Sequence, residues 1–579
     1  MPGGILNLVA YGNANIILSG NPTKTFFKCT YAKYTNFGLQ KFRLDYEGQR
    51  TVSMTESTNF RFKVKRYADL LMDTYLVLTL PTIWSPILPP TCDDNIWRPY
   101  NFQWIGGMGP LLIERVRFTV GGQLIQQFSG QYLFNQIERD FSQQKKNLYY
   151  RMTGNTSELT GPASWSDNNG SYPTAYFNTT RAGPDPSIRG RKIYIPLNTW
   201  FTLAAQMAFP LVSLQYNELE IDIDIRPVSE WFTIINGSKA GNSEPGGADT
   251  FVGNKHAPDF NDALDQFYRF IQPPPDISLN TTTSYSDKRT NWNADIHLMT
   301  TYAFLTDDEV RVFAQKEQKY LIKEVHEYNF QNIVGPQRVV VPTMGLVANW
   351  MWFLQRDDIQ LRNQWINYSK WSYGNKPYVL LDGSNIDISV NPKWNFGSLG
   401  CPEVEDEVWP TENPNSDNTI YKITPTYTSA NNRDIMTNWG LLLDGKYREN
   451  NLDAGIPQYI EKWVRTSGGY GYRDEPEYTG GGGVYCYNFC LNTDPFEFQP
   501  TGAMNLSKFS NVEFEINVDP PPLDPSAQVQ TICDPSGRII GINKPNWRIY
   551  KYSYNLTILE ERYNVLTFTS GNAGLMYAR

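Results

Sequence analysis

Apolar and polar residues alternate with a period of two before residue 121, which predicts the first strand of a β-hairpin. One face of that strand would carry Leu112, Glu114, Val116, Phe118 and Val120, and the other Ile113, Arg115, Arg117 and Thr119. Gly121 and Gly122 can both take positive φ, as a tight turn requires, and 123–128 reads as the returning strand. A lone hairpin is marginal in water, so a second sheet must cover this one.

The same criterion predicts short strands in both halves of the chain. Those of the first half are Phe26–Tyr31, Phe60–Val64, Asp73–Leu80, Ile193–Pro196 and Leu214–Pro227. Those of the second half are Arg338–Val341, Asn349–Gln355, Trp439–Leu443, Val484–Leu491, Val512–Val518, Tyr550–Leu559 and Val565–Thr569. The segment Asp73–Leu80 is apolar on both faces and ends at a proline, which is typical of a central strand.

Two short helices are predicted near sheet ends. After Ser129, an apolar stripe with helical spacing consists of Leu133, Phe134, Ile137 and Phe141. In the second half, Thr306 and Glu309 have the spacing of a capping box, which would start a helix that continues to Tyr320.

Four segments lack periodicity and are rich in Asn, Ser, Gly and Pro: 154–191, 227–291, 371–438 and 449–483. We expect long exposed loops there, with a domain boundary inside 227–291. The segments Asn217–Ile223 and Asn511–Val518 share an Asn followed by acidic and apolar alternation at comparable points of the two halves. That similarity is weak alone but favours an internal duplication, and so two β-sandwich domains.

Composition supports a β-rich structural protein. The chain has 579 residues, of which 14% are aromatic, and Gly 43 and Pro 38 punctuate it throughout. Lys+Arg 51 against Asp+Glu 59 leaves a formal charge of −8. The chain as a whole therefore lacks the basic surface of a nucleic-acid-binding protein, and we expect no direct contact with the genome.

Compartment signals are few. The six cysteines are scattered and read as reduced. The N-terminus has no basic region typical of a signal peptide, and no run of about 18 apolar residues occurs. Eight N-x-S/T sequons are present, but without an export signal we interpret them as chance matches in an Asn-rich chain.

Candidate ligands for metal or catalysis do not form a set. The three histidines His256, His297 and His326 show no ligand spacing, so we expect structural or solvated roles. Cys486 and Cys490 would lie roughly 13 Å apart on an extended strand, too far for a disulfide or a shared zinc.

The remaining motifs also favour structure over chemistry. Asp222 and Asp224 could hold a hard cation, but the alternation around them predicts the solvated face of an amphipathic strand. No phosphate loop follows the glycine pairs 106–107 and 121–122, and no nucleophile elbow is present. We therefore expect no enzyme activity and no catalytic, cofactor-binding or metal-binding residues.

Several of these segments resemble the major capsid proteins of the nucleocytoplasmic large DNA viruses, in order from end to end. They are Leu8–Gly12, Gly20–Lys28, Tyr34–Phe37, Ser129–Leu133, Leu211–Glu218, Gln499–Ser507, Tyr563–Leu566 and Ser570–Gly571. Two segments depart from the usual pattern. Asp444–Arg448 stands where the family reads Asn-Gly-His-Asp/Glu-Arg, and Ser570–Gly574 where it reads Ser-Gly-Met-Gly-Gly.

The resemblance implies an all-β chain of two consecutive eight-stranded antiparallel jelly-roll sandwiches, with short helices and long loop insertions. We divide it into an N-terminal arm over 1–25, a first jelly roll over 26–228, a linker or insertion over 229–291 and a second jelly roll over 292–579.

The resemblance also implies function. Three chains would form a pseudo-hexagonal capsomer that tiles the icosahedral virion shell of a large double-stranded DNA virus, assembled in the host cytoplasm. Its partners would be neighbouring capsomers and minor capsid proteins under the shell, close to an inner membrane. The long loops 154–191, 227–291 and 371–438 would form the outward tower and intersubunit clamps. Their aromatic residues would be buried only in the trimer, among them Trp231, Phe232, Trp371 and Tyr373. The segment before Phe26 would run along the capsomer base.

Three alternatives stay open at this point. A diverged minor capsid paralogue could occupy special lattice positions. A carbohydrate-binding β-sandwich would fit the aromatics and sequons but needs an export signal with disulfides or calcium ligands. A glycoside-processing enzyme needs a paired-carboxylate cleft, whereas Glu405, Asp406 and Glu407 read as a solvated acidic loop.

Overall fold

The computed structural model describes most of the chain. The residues outside its description are 1–2, 49–50, 89–97, 169–171, 174, 176, 179–182, 236–254, 264, 275–284, 371–378, 383–395, 399–419, 424–433, 469–482, 522–529, 534, 536–537, 544–549, 551 and 578–579.

Eight antiparallel strands form two facing sheets in the first half. They are β1 Gly38–Leu44, β2 Thr58–Lys63, β3 Leu70–Thr79, β4 Ile113–Val120, β5 Gln123–Ser129, β6 Lys192–Pro196, β7 Leu219–Ile225 and β8 His297–Phe304. One sheet follows the order β1-β8-β3-β6 and the other the order β2-β7-β4-β5.

The second half repeats this pattern. Its strands are β9 Gln318–Ile333, β10 Pro336–Val340, β11 Leu346–Arg356, β12 Met436–Leu443, β13 Lys446–Asp453, β14 Val484–Asn488, β15 Val512–Val518 and β16 Tyr554–Thr569. The sheet orders are β9-β16-β11-β14 and β10-β15-β12-β13. Each strand of the second half thus holds the same place in its sheet as the first-half strand whose number is eight lower. The predicted pair of eight-stranded jelly rolls is therefore confirmed.

Short elements surround the two sandwiches. The α-helices are α1 Ile5–Val9, α2 Ile16–Ser19, α3 Met108–Leu111, α4 Gly130–Asp140, α5 Gln143–Thr153, α6 Ser157–Thr160, α7 Trp200–Leu203, α8 Asp307–Gln315 and α9 Glu461–Arg465, and a π-helix, Ile456–Ile460, leads into α9. The additional strands are Ile87–Leu88, Arg98–Pro99, Asn101–Trp104, Phe177–Asn178, Gly183–Pro184, Phe209–Pro210, Phe232–Ile235, Lys255–His256, Val379–Asp382, Phe396–Ser398, Ile420–Ile423, Met504–Asn505, Gln530–Cys533, Ile539–Asn543 and Asn572–Leu575.

The alternation of apolar and polar residues predicted three features of the fold correctly. The predicted hairpin is present, with φ of 56° at Gly121 and 81° at Gly122. Strand β3 is central, between β8 and β6, as its two apolar faces predicted. The two segments that share the Asn and acidic pattern are β7 and β15, which hold equivalent places in the two jelly rolls.

Three strand and helix predictions were wrong. Phe26–Tyr31 is not a strand, and Phe27 is 99% exposed, because no strand of the described part of the chain pairs with this segment. The predicted helix to Tyr320 ends at Gln315, and the chain continues as β9. The two predicted strands 550–559 and 565–569 are one strand, β16, which runs through the polar residues between them.

The predicted capping box is also absent. Thr306 is the N-cap of α8, but its side chain makes no capping hydrogen bond. Glu309 instead accepts a hydrogen bond from the Thr35 hydroxyl at 2.8 Å. This contact ties the segment before β1 to α8.

Strand pairing corrects one predicted domain limit. Strand β8 is hydrogen-bonded between β1 and β3, so it completes the first jelly roll. A second jelly roll starting at residue 292 would therefore begin too early. The chain passes from one sandwich to the other after Phe304, through α8.

The predicted loops are partly buried structure. Within 154–191 lies α6, and Leu159 is fully buried. Phe232–Ile235 pairs with Asn101–Trp104, and both Trp231 and Phe232 are buried in the single chain. The prediction that these two aromatics would be covered only in a trimer was wrong. Trp371, Tyr373, Glu405, Asp406 and Glu407 lie outside the described residues.

The predicted solvated face of β7 is a buried ionic cluster. Asp222 is 6% exposed and Asp224 is 8% exposed. The Asp224 carboxylate lies 2.9 Å from Arg115 Nη2 and 3.2 Å from Arg117 Nη2, on the adjacent strand β4. Asp222 pairs with Arg61 of β2 at 2.9 Å. Long arginine side chains from both neighbouring strands cover these carboxylates.

Replacing Asp224 with alanine tests this cluster. We expect Asp224→Ala to lower the free energy of unfolding by about 2 kcal/mol, because Arg115 and Arg117 would lose the carboxylate between them. Urea denaturation measures the change. Glu218→Ala, at an exposed position just before the same strand, is the control, and equal effects of the two substitutions would contradict the assignment.

Candidate functional site

The junction between the two jelly rolls begins where β5 passes into α4. Ser129 is the N-cap of α4, and its hydroxyl oxygen accepts a hydrogen bond from Tyr132 N at 3.3 Å. The same hydroxyl donates to Glu327 Oε1 on β9 at 2.7 Å, and Ser129 N donates to that oxygen at 2.9 Å. The residue that starts the helix therefore also joins the first sandwich to the second.

Helix α4 carries a buried ionic group into the sheet of the second jelly roll. Arg139 Nη2 lies 2.8 Å from the Asp140 carboxylate and 2.7 Å from Glu561 Oε1, on β16. Arg139 Nη1 donates to Asn349 Oδ1 on β11 at 2.9 Å. Asn349 Nδ2 donates to Glu561 at 2.9 Å, and Tyr132 OH does so at 3.1 Å. We call these five residues the junction cluster.

Burial and charge oppose each other at Glu561. Burial would raise the pKa of this carboxyl, but the positive charges of Arg139 and Lys323 and the hydrogen bond from Asn349 outweigh it, so the pKa lies below its ordinary value of 4.5. Glu561 is therefore held as a carboxylate in the folded chain. At Glu327 burial dominates and raises the pKa, and the hydrogen bonds from Ser129 only partly offset it.

Apolar packing surrounds the cluster. On β11, Trp350 and Trp352 face the core of the second jelly roll, whereas Met351 and Phe353 face the other way and join the core that includes the first. Phe209 and Phe568 meet across the junction with ring centroids 5.2 Å apart. The β9-β16-β11-β14 sheet is thus covered on both faces within one chain.

A second set of contacts fixes the far side of the junction. The Arg226 guanidinium lies 4.0 Å from the centroid of a Trp365 ring. Asn363 Nδ2 donates to the backbone oxygens of Ser229 at 2.7 Å and Phe232 at 2.8 Å. Because polar bonds hold the sandwiches at both sides, their relative orientation is fixed.

Because β1 begins only at Gly38, we extend the N-terminal arm from the predicted 1–25 to the described residues 3–37, which carry many exposed apolar side chains. Its large exposed side chains are Ile5, Leu6, Leu8, Val9, Tyr11, Ile16, Ile17, Leu18, Phe26, Phe27, Tyr31, Tyr34 and Phe37. The hydrogen bonds recorded for residues 3–20 are all local. A concentration of exposed apolar side chains of this kind is typical of a site that contacts another molecule.

The residues that the sequence singled out for chemistry lie apart. His256 Nε2 lies 3.0 Å from the Asp265 carboxylate, and His326 Nε2 lies 3.2 Å from the Glu324 carboxylate. His297 Nδ1 lies 2.7 Å from the backbone oxygen of Asp295. Within the described ranges, no group of three or more His, Cys, Asp or Glu residues is arranged to hold a metal ion.

Cys486 and Cys490 are buried free thiols, and burial raises the pKa of Cys486 to about 11. Such a thiol is protonated at neutral pH and unreactive. No helix among the described residues is long and apolar enough to span a bilayer.

Sequence reasoning missed the junction cluster. Arg139 and Asp140 follow a helical apolar stripe, where charges usually face solvent, and Glu561 lies between two stretches that read as separate strands. The available signal was the run Glu560-Glu561-Arg562 within an otherwise apolar strand pattern. Charged side chains inside an apolar strand require buried partners that carry the opposite charge or form hydrogen bonds with them.

Comparisons with known proteins agree with this architecture. A family model described as the major capsid protein N-terminus matches residues 25–262. The chain is 24% identical to the major capsid protein of Phaeocystis pouchetii virus, and the alignment covers 100% of both proteins. It is 32% identical over 254 residues to the major capsid protein of Chrysochromulina ericina virus, covering 40% of this chain and 42% of that protein.

Two solved structures share the fold. The PBCV-1 VP54 structure, fitted into a reconstruction of the virophage Sputnik, aligns with a TM-score of 0.56 at 16% identity and covers 96% of this chain and 100% of that one. The Faustovirus major capsid protein aligns with a TM-score of 0.57 at 13% identity, covering 96% and 94% respectively.

The fold and the buried junction define a double jelly-roll protein, and the proteins that match it in sequence are viral capsid proteins. The chain is similar to the major capsid proteins of the nucleocytoplasmic large DNA viruses, whose N-terminal family model matches its residues 25–262. It is a structural protein of the virion capsid and not an enzyme.

The junction cluster makes a pH-dependent contribution to stability that can be measured. We expect Glu561→Gln to lower the free energy of unfolding by about 3 kcal/mol at pH 7, because Arg139 would lose one of its two buried carboxylates. The folded pKa of Glu561 is depressed, so its contribution is present above pH 4.5 and is lost as the pH falls through the folded value. Urea denaturation from pH 7 downward should show the difference between the two proteins shrinking below about pH 4.5.

The control is Glu218→Gln, at an exposed position of the first jelly roll. This substitution should leave the free energy of unfolding within about 0.5 kcal/mol at every pH. A Glu561→Gln effect that did not vary with pH would contradict the charged role of the carboxylate.

Proposed function

We propose that three copies of this chain assemble into a pseudo-hexagonal capsomer that tiles an icosahedral shell. The observation that carries this proposal is the repeated strand order of two jelly rolls joined by a buried polar junction. Three such chains supply six similar sandwiches, and a closed ring of them approximates sixfold symmetry. A fixed junction is what such a ring requires, because each chain must span the same angle.

The surroundings of the capsomer follow from the same proposal. Neighbouring capsomers would contact its sides, and minor capsid proteins would contact its base, near an inner membrane, with assembly in the host cytoplasm. The long insertions of the two jelly rolls would form the outward tower. The N-terminal arm would lie along the base, since its apolar side chains have no cover within the chain.

The turn at Asp444 and Gly445, where the sequence departs from the family pattern, is well formed. Asp444 and Gly445 connect β12 to β13 with φ of 48° and 76°. The Asp444 carboxylate accepts hydrogen bonds from Ser510 N and Asn511 N, each at 2.8 Å. The substituted turn is therefore well formed, which favours a shell-building protein.

Molecular mass in solution tests the trimer directly. At micromolar concentration we expect sedimentation equilibrium to give about three times the 66.4 kDa chain mass. The reason is that six similar sandwiches from three chains can close a ring in which every chain makes the same contacts. A folded monomer at that concentration, confirmed by circular dichroism, would contradict the proposal.

Removing residues 1–20 separates capsomer formation from shell assembly. This deletion should leave trimers intact, since residues 3–20 make only local hydrogen bonds, and should impair lattice formation because the apolar arm would be missing. Sedimentation measures the first effect, and electron microscopy of assembly reactions the second. A double variant with Ile17→Ser and Leu18→Ser should likewise form trimers but assemble poorly into a lattice. Loss of trimers would show that the arm acts within the capsomer.

A further inference from the structure

Within one chain, the first jelly roll presents one surface to the second. That surface consists of β5 and α4, and it covers β9, β11 and β16 through the contacts of Ser129 with Glu327 and of Arg139 with Asn349 and Glu561. The chain thus contains one complete example of how two successive jelly rolls fit together.

Strand order identifies the equivalent surface on the second jelly roll. Strand β13 holds the place of β5, and the helical segment 456–465 follows it as α4 follows β5. We call β13 and segment 456–465 the second donor surface.

The second donor surface is uncovered. Strand β13 is exposed along almost all its length, whereas β5 is largely covered. Trp463 is 89% exposed, and Tyr459, Ile460 and Val464 are more than half exposed. The opposite side of the segment already holds it in place, since Gln458 is buried and the Lys462 ammonium donates to Val484 O. The exposed apolar side is therefore not needed to hold segment 456–465 against its own jelly roll.

The matching receptor on the first jelly roll is also open. Strand β1, which corresponds to β9, is exposed over most of its length. Tyr75 and Met299 are register partners on β3 and β8 and are only partly buried. On the equivalent strands of the second jelly roll, β11 and β16, the register partners Met351 and Leu559 are buried in the core that includes the first jelly roll.

A polar group lies beside these residues, as the junction cluster lies beside Met351. Asp73 is hydrogen-bonded to the Thr301 side chain, and burial raises the pKa of its carboxyl. Lys41 is the register partner of Thr301 on β1 and lies near Asp73. The first jelly roll therefore offers Tyr75 and Met299 beside a partly buried carboxyl, and α4 likewise meets Met351 beside the carboxylate of Glu561.

We propose that the second donor surface docks on β1, β3 and β8 of another copy of this chain, with Trp463 as its central anchor. This inference rests on the proposed trimer and adds the surface that closes it. Donor and receptor differ, so the contact is head to tail, and a ring forms once the last donor meets the first receptor. Aromatic side chains buried at the centre of an interface contribute most of its affinity.

A charge at position 463 should break the ring. We expect Trp463→Glu to be a folded monomer at concentrations where the unaltered protein is a trimer, with the association constant lowered by at least about 30-fold. Val340→Glu is the matched control, because Val340 is 57% exposed on β10, at the other edge of the same sheet. Sedimentation gives the mass and circular dichroism the fold. A trimeric Trp463→Glu protein would overturn the inference.

A second measurement keeps the test decisive if that variant does not fold. Trp463→Cys and Val340→Cys are each labelled with a maleimide in the assembled protein and quantified by peptide mass spectrometry. We expect position 463 to react at least about ten times more slowly than position 340 within the trimer, because it would be buried there. Equal rates in a trimer would refute this surface and leave the trimer standing. Absence of any trimer in the unaltered protein would refute the proposed function itself.

Discussion

The buried contact of Arg139 with Glu561 and Asn349 is the interaction on which the larger structure depends. A buried ion pair adds little net stability compared with well-packed apolar residues, but removing one partner is costly. Its directional hydrogen bonds are satisfied in only one relative placement of the two jelly rolls. The main effect of the cluster is therefore to select an orientation, and its contribution to stability becomes measurable when one partner is removed. For a subunit of a closed shell, that orientation is the property that must not vary.

The two jelly rolls have kept one strand order and diverged in what covers them. In the first, the strand β5 and the helix α4 are packed against the second sandwich. In the second, β13 and segment 456–465 face solvent, as do most of β1 and parts of β3 and β8 at the opposite end. A duplication joined in tandem necessarily leaves one copy of each half-interface unfilled. Under the proposed docking, the open surfaces of one chain therefore complement those of the next.

The sequence predicted the features that depend on residues close together in the chain and missed those that depend on residues far apart in it. The hairpin at Gly121, the central strand β3 and the equivalence of β7 with β15 follow from local periodicity, and all were predicted. Asp222 and Asp224 show the limit of that method. Their alternation is right, but arginines on neighbouring strands bury them. Arg139 and Glu561 are 422 positions apart, so no local pattern could pair them. Phe26–Tyr31 has strand composition, yet no described strand pairs with it.

The exposed strand β13 has a consequence for the chain before it finds a partner. An unpaired edge invites any other strand to add to it, which leads to aggregation. Here the edge carries Lys446, Arg448, Glu449 and Asp453. Charges so placed disfavour indiscriminate strand addition, while a surface with complementary side chains can still be accepted. Newly made subunits are thereby protected from fibrous precipitation during the interval between synthesis and incorporation.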